Sequence, residues 1–489
     1  MSEAADIFPK RYWIILICFL LLITRQGLFM MHSGALGWDG YYYLMQVKSI
    51  LDPGPMQAPD YSMIYAWLLA FRMLIPDDVT AYQWGVAGLS GLFALGAFRL
   101  LSFYTHKVSD WLLLASLLLF SPTLLFLTVQ FPKNLLGLAL LLFLQDGLMR
   151  RNWITAVLLL IACFFAHRLS AGLGLFLFIA HLLFRGMRLP KWMLIGTLGL
   201  IVAGSFLLPG IFHFSDLERF QGSLAWDFQP LEMIYGWESE ALSYWWGAEV
   251  WILYITGLCL FAFTVPRMIY KWNPGEGPDW RYVFVLFFLV IPIWEVQPGS
   301  MGYRFFLSFL LLMVPAVSMV MVRFPGWLTV SLTVLLLGAS TMSWQFYRVK
   351  QYDPPYETFK RLSQKIEAHP EAGKASLIIA HKGLAEVIIY QTDLDALNWV
   401  PEYKIAPQKV WRVVTEVQPM DFNEYLSPDE RQYTKLSPNH TLIREDHWNA
   451  FLSAAREAND KKVLAKVKRG LNPDKVRPAF LVKGRPEHE

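Results

Sequence analysis

The stretch HSGALGWDGYYYLMQVKSI, from His32 to Ile50, holds a single acid, Asp39, between a tryptophan, a glycine and three tyrosines. A carboxylate just before YYYLMQVKSIL has two readings: a helix N-cap that accepts a backbone N–H of the following turn, or a group placed for chemistry. Cations elsewhere bear on the choice: Lys133 in VQFPKNLLGL, Arg168 in CFFAHRLSAG and Arg304 in QPGSMGYRFFLSFLLL. Arginine grips phosphate oxygens as a bidentate fork and lysine acts on them as a point charge, so several such residues converging with one carboxylate make a site for an anionic headgroup. Each also fits a plainer role, because lysine and arginine stems snorkel to lipid headgroups. Tyr303 immediately precedes Arg304, and Glu295 in IWEVQPGS is either a salt-bridge partner of one of the cations or an acid of the site. Asp60, Asp77, Asp78, Asp216 and Glu218 are further acids that can share such work.

The elements that must position these residues follow from composition. The chain has 489 residues, 55% hydrophobic, 16% aromatic and only 17% charged, against about 25% charged in ordinary soluble domains. It reads as a polytopic membrane protein. The net charge of +4 is spread along the chain with no basic run of the kind that binds nucleic acid, so nucleic acid is not an expected partner. Cys18, Cys163 and Cys259 all fall in apolar segments, where cysteine behaves as a small hydrophobe and implies neither a disulfide nor a nucleophile. MSEAADIFPKRYW before the first span resembles a signal n-region, but the span is long and lacks a small-residue cleavage site, which predicts a retained anchor.

A membrane helix needs about 20 mostly apolar residues, and on that criterion about 11 spans are expected: 12–31, 80–104, 110–130, 132–149, 153–167, 170–185, 192–211, 247–266, 281–295, 302–322 and 326–344. YSMIYAWLLAFRMLI, 61–75, is apolar but short, with Arg72 inside it. Short cytoplasmic loops collect Lys and Arg. With 61–75 lying flat and the N-terminus inside, Lys10, Arg11, Lys107, Arg150, Arg151, Arg185, Arg188, Lys191, Arg267, Lys271, Arg281 and Arg323 all fall inside. Residues 32–79 then form a large outer loop with interfacial helices, and everything after Trp344 is also outside. On that outer face Lys133, Arg168 and Arg304 sit at span ends against the positive-inside bias.

The expected division is a transmembrane domain, 1–344, and a polar, Pro-punctuated soluble domain, 345–489. In the latter, ASLIIAHKGLAEVIIYQTDLDALNW reads strand, turn, helix, strand, and LIREDHWNAFLSAAREANDKKVLAKV reads as a helix with Asp446 as cap, so a small α/β or α+β domain follows. The tail carries no Gly-rich phosphate loop, CxxC pair, metal-spaced His cluster or GxSxG.

Taken together, GWDGYYYL opening a long outer loop, PKNLLGLALLLF entering a Leu-rich span, GYRFFLSFLLLMVPAV late in the chain and a C-terminal soluble domain resemble the GT-C glycosyltransferases. That superfamily includes protein O-mannosyltransferases, aminoarabinose transferases acting on lipid A and catalytic subunits of oligosaccharyltransferases. The resemblance implies a polyprenyl-phosphate or pyrophosphate sugar donor in the membrane lipid, a lipid, glycan or protein acceptor, and chemistry at the outer surface of a membrane, here a bacterial inner membrane. It maps the acid of the first outer loop, base or metal ligand, onto Asp39. The late basic residue that holds donor phosphate maps onto Arg304. Lys133, Arg168, Tyr303 and Glu295 are the accompanying substrate-binding candidates. Relatives often carry a second acid in the second outer loop, where this chain has Lys133 and Asn134; that favours lysine-assisted phosphate binding and leaves a divalent metal as an open option.

Two other classes compete. A transporter or lipid flippase lines its pathway with intramembrane charges, whereas the ionisable residues of these spans, Arg25, Arg99, Asp146 and His181, lie toward span ends. A non-catalytic assembly subunit would use the tail as a binding module.

Overall fold

In the computed structural model the described residues are 3–51, 60, 62–105, 107–184, most of 247–262, 301–322, 326–350, 353–375, 377–392, 394–397, 400–401, 406–428, 433–469 and 476–477. The expected spans 192–211 and 281–295, and with them Glu295, lie outside the described residues. The chain divides into two units: Met1–Ser33 with Asp60–Tyr352, and Gly34–Pro59 with Asp353–Glu489.

The first unit is helical: α1 (Glu3–Phe29), α3 (Ile64–Leu74), α4 (Asp78–Tyr104), α5 (Val108–Leu119), α6 (Pro122–Gln130), α7 (Pro132–Met149), α8 (Trp153–Ala166), α9 (Arg168–Phe184), α10 (Met301–Met321) and α11 (Trp327–Lys350). Residues 249–257 are also helical. Among the described residues Tyr12–Phe29, Asp78–Tyr104 and Leu328–Lys350 are each long and apolar enough to cross a membrane. At its start α4 is capped by Asp77, whose carboxylate accepts from Thr80 N at 2.7 Å. It packs against α1, α3 and α7, and α7 packs in turn on α8 and α9. At 11 residues α3 is roughly 16 Å long and too short to span.

The span expected over 110–130 is two helices, α5 and α6, bent by 50° at the intervening break. Pro122 at the first helical position has no N–H to continue α5, and Ser121 Oγ restarts the chain as N-cap by accepting from Leu124 N at 3.0 Å. A break inside a membrane protein leaves backbone groups that lipid cannot satisfy. Here Glu249 accepts from Thr123 N (3.0 Å) and Thr123 Oγ1 (2.7 Å), while Arg25 donates to Ser121 O at 3.1 Å. Arg25 is therefore buried, 1% exposed, rather than reaching for a headgroup from its span end.

The second unit contains α2 (Gly40–Leu51), α12 (Tyr356–Glu367), α13 (Lys382–Gln391), α14 (Pro419–Tyr425), α15 (Glu445–Glu457) and α16 (Lys461–Arg469). Its main sheet has the order β2 (Ala396–Leu397), β1 (Leu377–Ile379), β4 (Val410–Thr415), β6 (His440–Arg444), β5 (Tyr433–Ser437). β2, β1 and β4 are parallel, and β4, β6 and β5 antiparallel. The mixed α/β character and the strand–helix–strand unit β1–α13–β2 match the sequence pattern. Val414, Phe422, Ile443, Trp448 and Phe451 form a core on one side of it. The long helix expected after Asp446 breaks at Asn459, whose φ of 51° ends α15 before α16 starts. Its N-cap is Arg444, and Asp446 accepts from His447 N at 2.9 Å and Arg444 Nε at 2.7 Å.

Candidate active site

Asp39 stands at the head of α2, where its carbonyl accepts from Tyr43 N at 3.1 Å. Its backbone therefore occupies the cap position, but its carboxylate accepts from Lys382 Nζ at 2.6 Å on α13. The loop before it is fixed in the same unit. Gly37 adopts φ 87°, a left-handed conformation open to glycine; its N–H donates to Asp353 Oδ1 at 3.0 Å. Tyr356 hydroxyl donates to the carbonyls of Gly37 (2.8 Å) and Trp38 (3.0 Å). On α2 itself the Tyr41 ring lies between Tyr356 (4.6 Å) and Tyr390 (5.5 Å), and Lys48 donates to Tyr390 O at 3.1 Å. The aromatic setting of Asp39 is thus a dock for α2 on α12 and α13.

Below Lys382, one turn along α13, lies Glu386, 3.7 Å from the same ammonium. Burial pushes the Glu386 carboxyl up to about 8; Lys382 pulls it down and Asp39 pushes it further up. The ammonium thus sits between an accessible carboxylate and a buried carboxylic acid, with the Tyr42 ring 5.6 Å away.

In the helical unit the cations gather at the first turn of α7. Lys133 forms an ion pair with Asp60, and its ammonium lies 5.2 Å from the Tyr65 ring centroid. Asp60 also accepts from Tyr65 hydroxyl at 2.7 Å and Ser62 N at 3.1 Å. Burial alone would raise the Asp60 carboxyl, but Lys133, Tyr65 and Ser62 more than offset it and hold it below the ordinary carboxylate range. The loop is anchored on the α8–α9 turn: Ser62 Oγ donates to Ala166 O at 2.9 Å and Met63 N to Phe165 O at 2.8 Å. Arg168 begins α9 directly after that turn, so the backbone of Arg168 and the pair Asp60–Lys133 share this end of the unit. On α10 the Arg304 guanidinium lies over the Phe131 ring, 4.5 Å from its centroid, and Phe131 is the N-cap residue of α7. Two of the expected cations, Lys133 and Arg304, thus meet the same helix start. Tyr303 lies in the first turn of α10.

Asp39 and Glu386 have an ammonium between them, and Asp60 has one against it, in the place a metal cation would take. Among the described residues no group of three or more His, Cys, Asp or Glu side chains is arranged to hold a metal ion. As placed, Asp39 and Glu386 are paired with Lys382 and Asp60 with Lys133. Lys382, Glu386 and Tyr65 were not singled out by sequence. The i,i+4 spacing of Lys382 and Glu386 in HKGLAEV shows a helical face, but nothing local points from it to Asp39.

No family model matches the chain, and no curated protein matches it in sequence. Among solved structures, the crystal structure of ArnT from Cupriavidus metallidurans in the apo state is similar, with a TM-score of 0.52 at 8% identity, covering 89% of this chain and 98% of that one. At that identity the likeness is one of fold: a mainly α, polytopic membrane architecture like that of ArnT, with a small C-terminal α/β region.

Proposed function

We propose that this protein is a GT-C type membrane glycosyltransferase that moves a sugar from a polyprenyl-phosphate or pyrophosphate donor to an acceptor on the outer side of a bacterial inner membrane. The observation that carries this is the start of α7, where Lys133 is held by Asp60 and Arg304 lies over Phe131, on a fold like that of ArnT. The donor's phosphate leaves already ionised, so it needs cations rather than a general acid. Lys133 supplies a point charge whose position Asp60 and Tyr65 fix, and Arg304 supplies a fork. Arg168, Tyr303 and Glu295 are further donor-binding residues in this proposal. Asp39 is the base: it takes the proton of the acceptor hydroxyl as that oxygen attacks the anomeric carbon and the bond from that carbon to the phosphate oxygen breaks.

A transporter or flippase is the second reading, and the buried ionisable residues Arg25 and Glu249 favour it. Their hydrogen bonds, however, close the helix break at Ser121. The deciding experiment reconstitutes the purified protein in vesicles with a polyprenyl-phosphate sugar and follows sugar release from that donor. Donor consumption that depends on Arg304 supports the transferase. Movement of intact donor across the bilayer without cleavage overturns it.

A further inference from the structure

We propose that the end of α7 opposite Lys133 carries a binding site for the phosphate headgroup of an anionic phospholipid, separate from the candidate active site. The site is a cleft of about 250 Å³ whose lining includes Arg99, Phe143, Asp146, Arg150, Asn152 and Leu159. At its base Asp146, 2% exposed, holds two guanidinium groups at once. Arg99 Nε donates to Asp146 Oδ2 at 3.2 Å, with its Nη2 3.0 Å from the same oxygen as an ion pair, and Arg150 Nε donates to Oδ1 at 2.6 Å. Arg150 Nη2 is also tied to Ser102 Oγ at 3.2 Å. Aromatic faces support both groups: Arg99 lies 5.8 Å from the Phe143 ring and Arg150 5.9 Å from the Phe103 ring.

One carboxylate cannot neutralise two arginines, so the cluster keeps a net positive charge. Because Asp146 is buried while the side chains of Arg99 and Arg150 stay 52% and 43% exposed, the acid serves as an anchor and the arginines present their remaining N–H groups outward. Fixed, paired guanidinium groups suit phosphate oxygens. Two further features add positive potential. Asn152 caps α8 by accepting from Thr155 N at 3.2 Å, placing that helix start at the cleft. Arg151 occupies the left-handed position after α7, φ 58°, which helix ends ordinarily give to glycine.

Position and lining argue for a lipid over a soluble phosphate. α7 has 18 residues, roughly 27 Å of helix, which separates the arginine cluster at its end from Lys133 at its start. Beneath the arginines the cleft is lined by Phe143 and Leu159, and it adjoins an α8 face on which Ile154, Val157, Leu158 and Ile161 are exposed. A headgroup at the arginines continues into acyl chain along that face. Basic pockets between membrane helices bind anionic headgroups in this manner. The cleft is smaller than pockets for drug-sized ligands, about 300 to 1,000 Å³, and so suits a headgroup better than a whole sugar nucleotide.

The test uses the full chain in detergent, stripped of lipid and mixed with phosphatidylglycerol or phosphatidylcholine, with bound lipid counted by native mass spectrometry and thermal stability followed in parallel. Phosphatidylglycerol retained at least tenfold over phosphatidylcholine is expected, with that preference lost in the double variant Arg99→Lys, Arg150→Lys, which keeps the charge and removes the forks. Leu159→Trp, which fills the cleft without touching the ion cluster, is expected to lose the same lipid and guards against misfolding of the first variant. Equal retention of the two lipids, or a preference that survives Leu159→Trp, overturns the proposal. Stabilisation by inorganic phosphate alone equal to that by phosphatidylglycerol also overturns it, because a soluble phosphate compound would then be the ligand.

Discussion

Lys382 Nζ donates to Asp39 Oδ1 at 2.6 Å across 343 positions of sequence, so the carboxylate proposed as base is held by an ammonium from the C-terminal part of the chain. Both groups are substantially accessible, 46% and 35% exposed. Pairs of this kind contribute about 0 to 1 kcal/mol, so the contact orients Asp39 at little cost to its release. Asp39→Asn preserves shape and can still accept from Lys382, but it cannot take a proton. Expression and melting temperature are expected to stay near wild type while transfer falls by roughly a hundredfold to ten-thousandfold. Near-normal transfer by Asp39→Asn would leave the acid as a docking residue of α2.

Glu386 provides a pH signature of the same cluster. Its carboxyl is raised to about 8 by burial, lowered by Lys382 and raised by Asp39. Because the folded-state value lies above the unfolded one, the folded state binds the extra proton. The resulting stability is fully present below the unfolded carboxylate value and is lost as pH rises through about 8. The slope within that window is roughly 1.4 kcal/mol per pH unit. Hydrogen exchange at α13 in the full chain is expected to quicken from pH 5 to 8 beyond its intrinsic dependence, and Glu386→Gln to flatten that excess. Parallel profiles for the two proteins would show that Glu386 titrates normally.

These two residues mark where sequence reading stops. The helical segments, the strand–helix–strand unit and the cations at helix ends follow from local hydrophobic period, Pro and charge, which a sequence displays directly. The partners of Asp39 and Lys133 do not, because ion pairs between distant positions depend on how elements pack. Pro122 was visible in SPTLLFLTVQ, yet a break is tolerated there because Arg25 and Glu249 satisfy the freed groups, and that pairing has no local signature. Asp39 shows both sides: its backbone is the cap that GWDGYYYL predicts, while its side chain answers to Lys382.

At the start of α7, Asp60 holds Lys133 and its own carboxyl stays below the ordinary range despite burial, through Lys133, Tyr65 and Ser62. A depressed carboxyl stabilises the fold above its unfolded value and loses that contribution as pH falls through the folded one. Asp60→Asn is expected to lower stability at neutral pH by roughly 1.5 to 3 kcal/mol and to weaken the decline on acidification. Thermal unfolding in detergent from pH 7 to 3 checks this; identical pH dependence in the two proteins would show that the pair contributes nothing.

Arg304 is separable from Lys133 by geometry, since a fork grips two phosphate oxygens where an ammonium cannot. Charge-assisted hydrogen bonds contribute about 1.5 to 3 kcal/mol each, so Arg304→Ala is expected to weaken apparent donor affinity tenfold or more, with Arg304→Lys recovering part of the loss. Donor titration by tryptophan fluorescence or by KM measures it. Unchanged affinity in the alanine variant would return Arg304 to the class of arginines that only reach for headgroups.

The buried residues Arg25 and Glu249 separate the transferase from the transporter. Glu249 accepts from Thr123 N and Oγ1, and Arg25 donates to Ser121 O, so both are tied to the start of α6. Removing the Glu249 carboxylate leaves the buried donors of Thr123 without their acceptor, which costs about 1 to 3 kcal/mol for each unsatisfied group. Glu249→Ala is therefore expected to lower the melting temperature markedly, whereas Glu249→Gln, which can still accept from Thr123, is expected to lower it less. Sugar transfer per folded molecule should be unchanged in the glutamine variant if these residues only close the helix break. A glutamine variant that folds normally yet loses all activity would place Glu249 on a charge pathway, as a transporter requires.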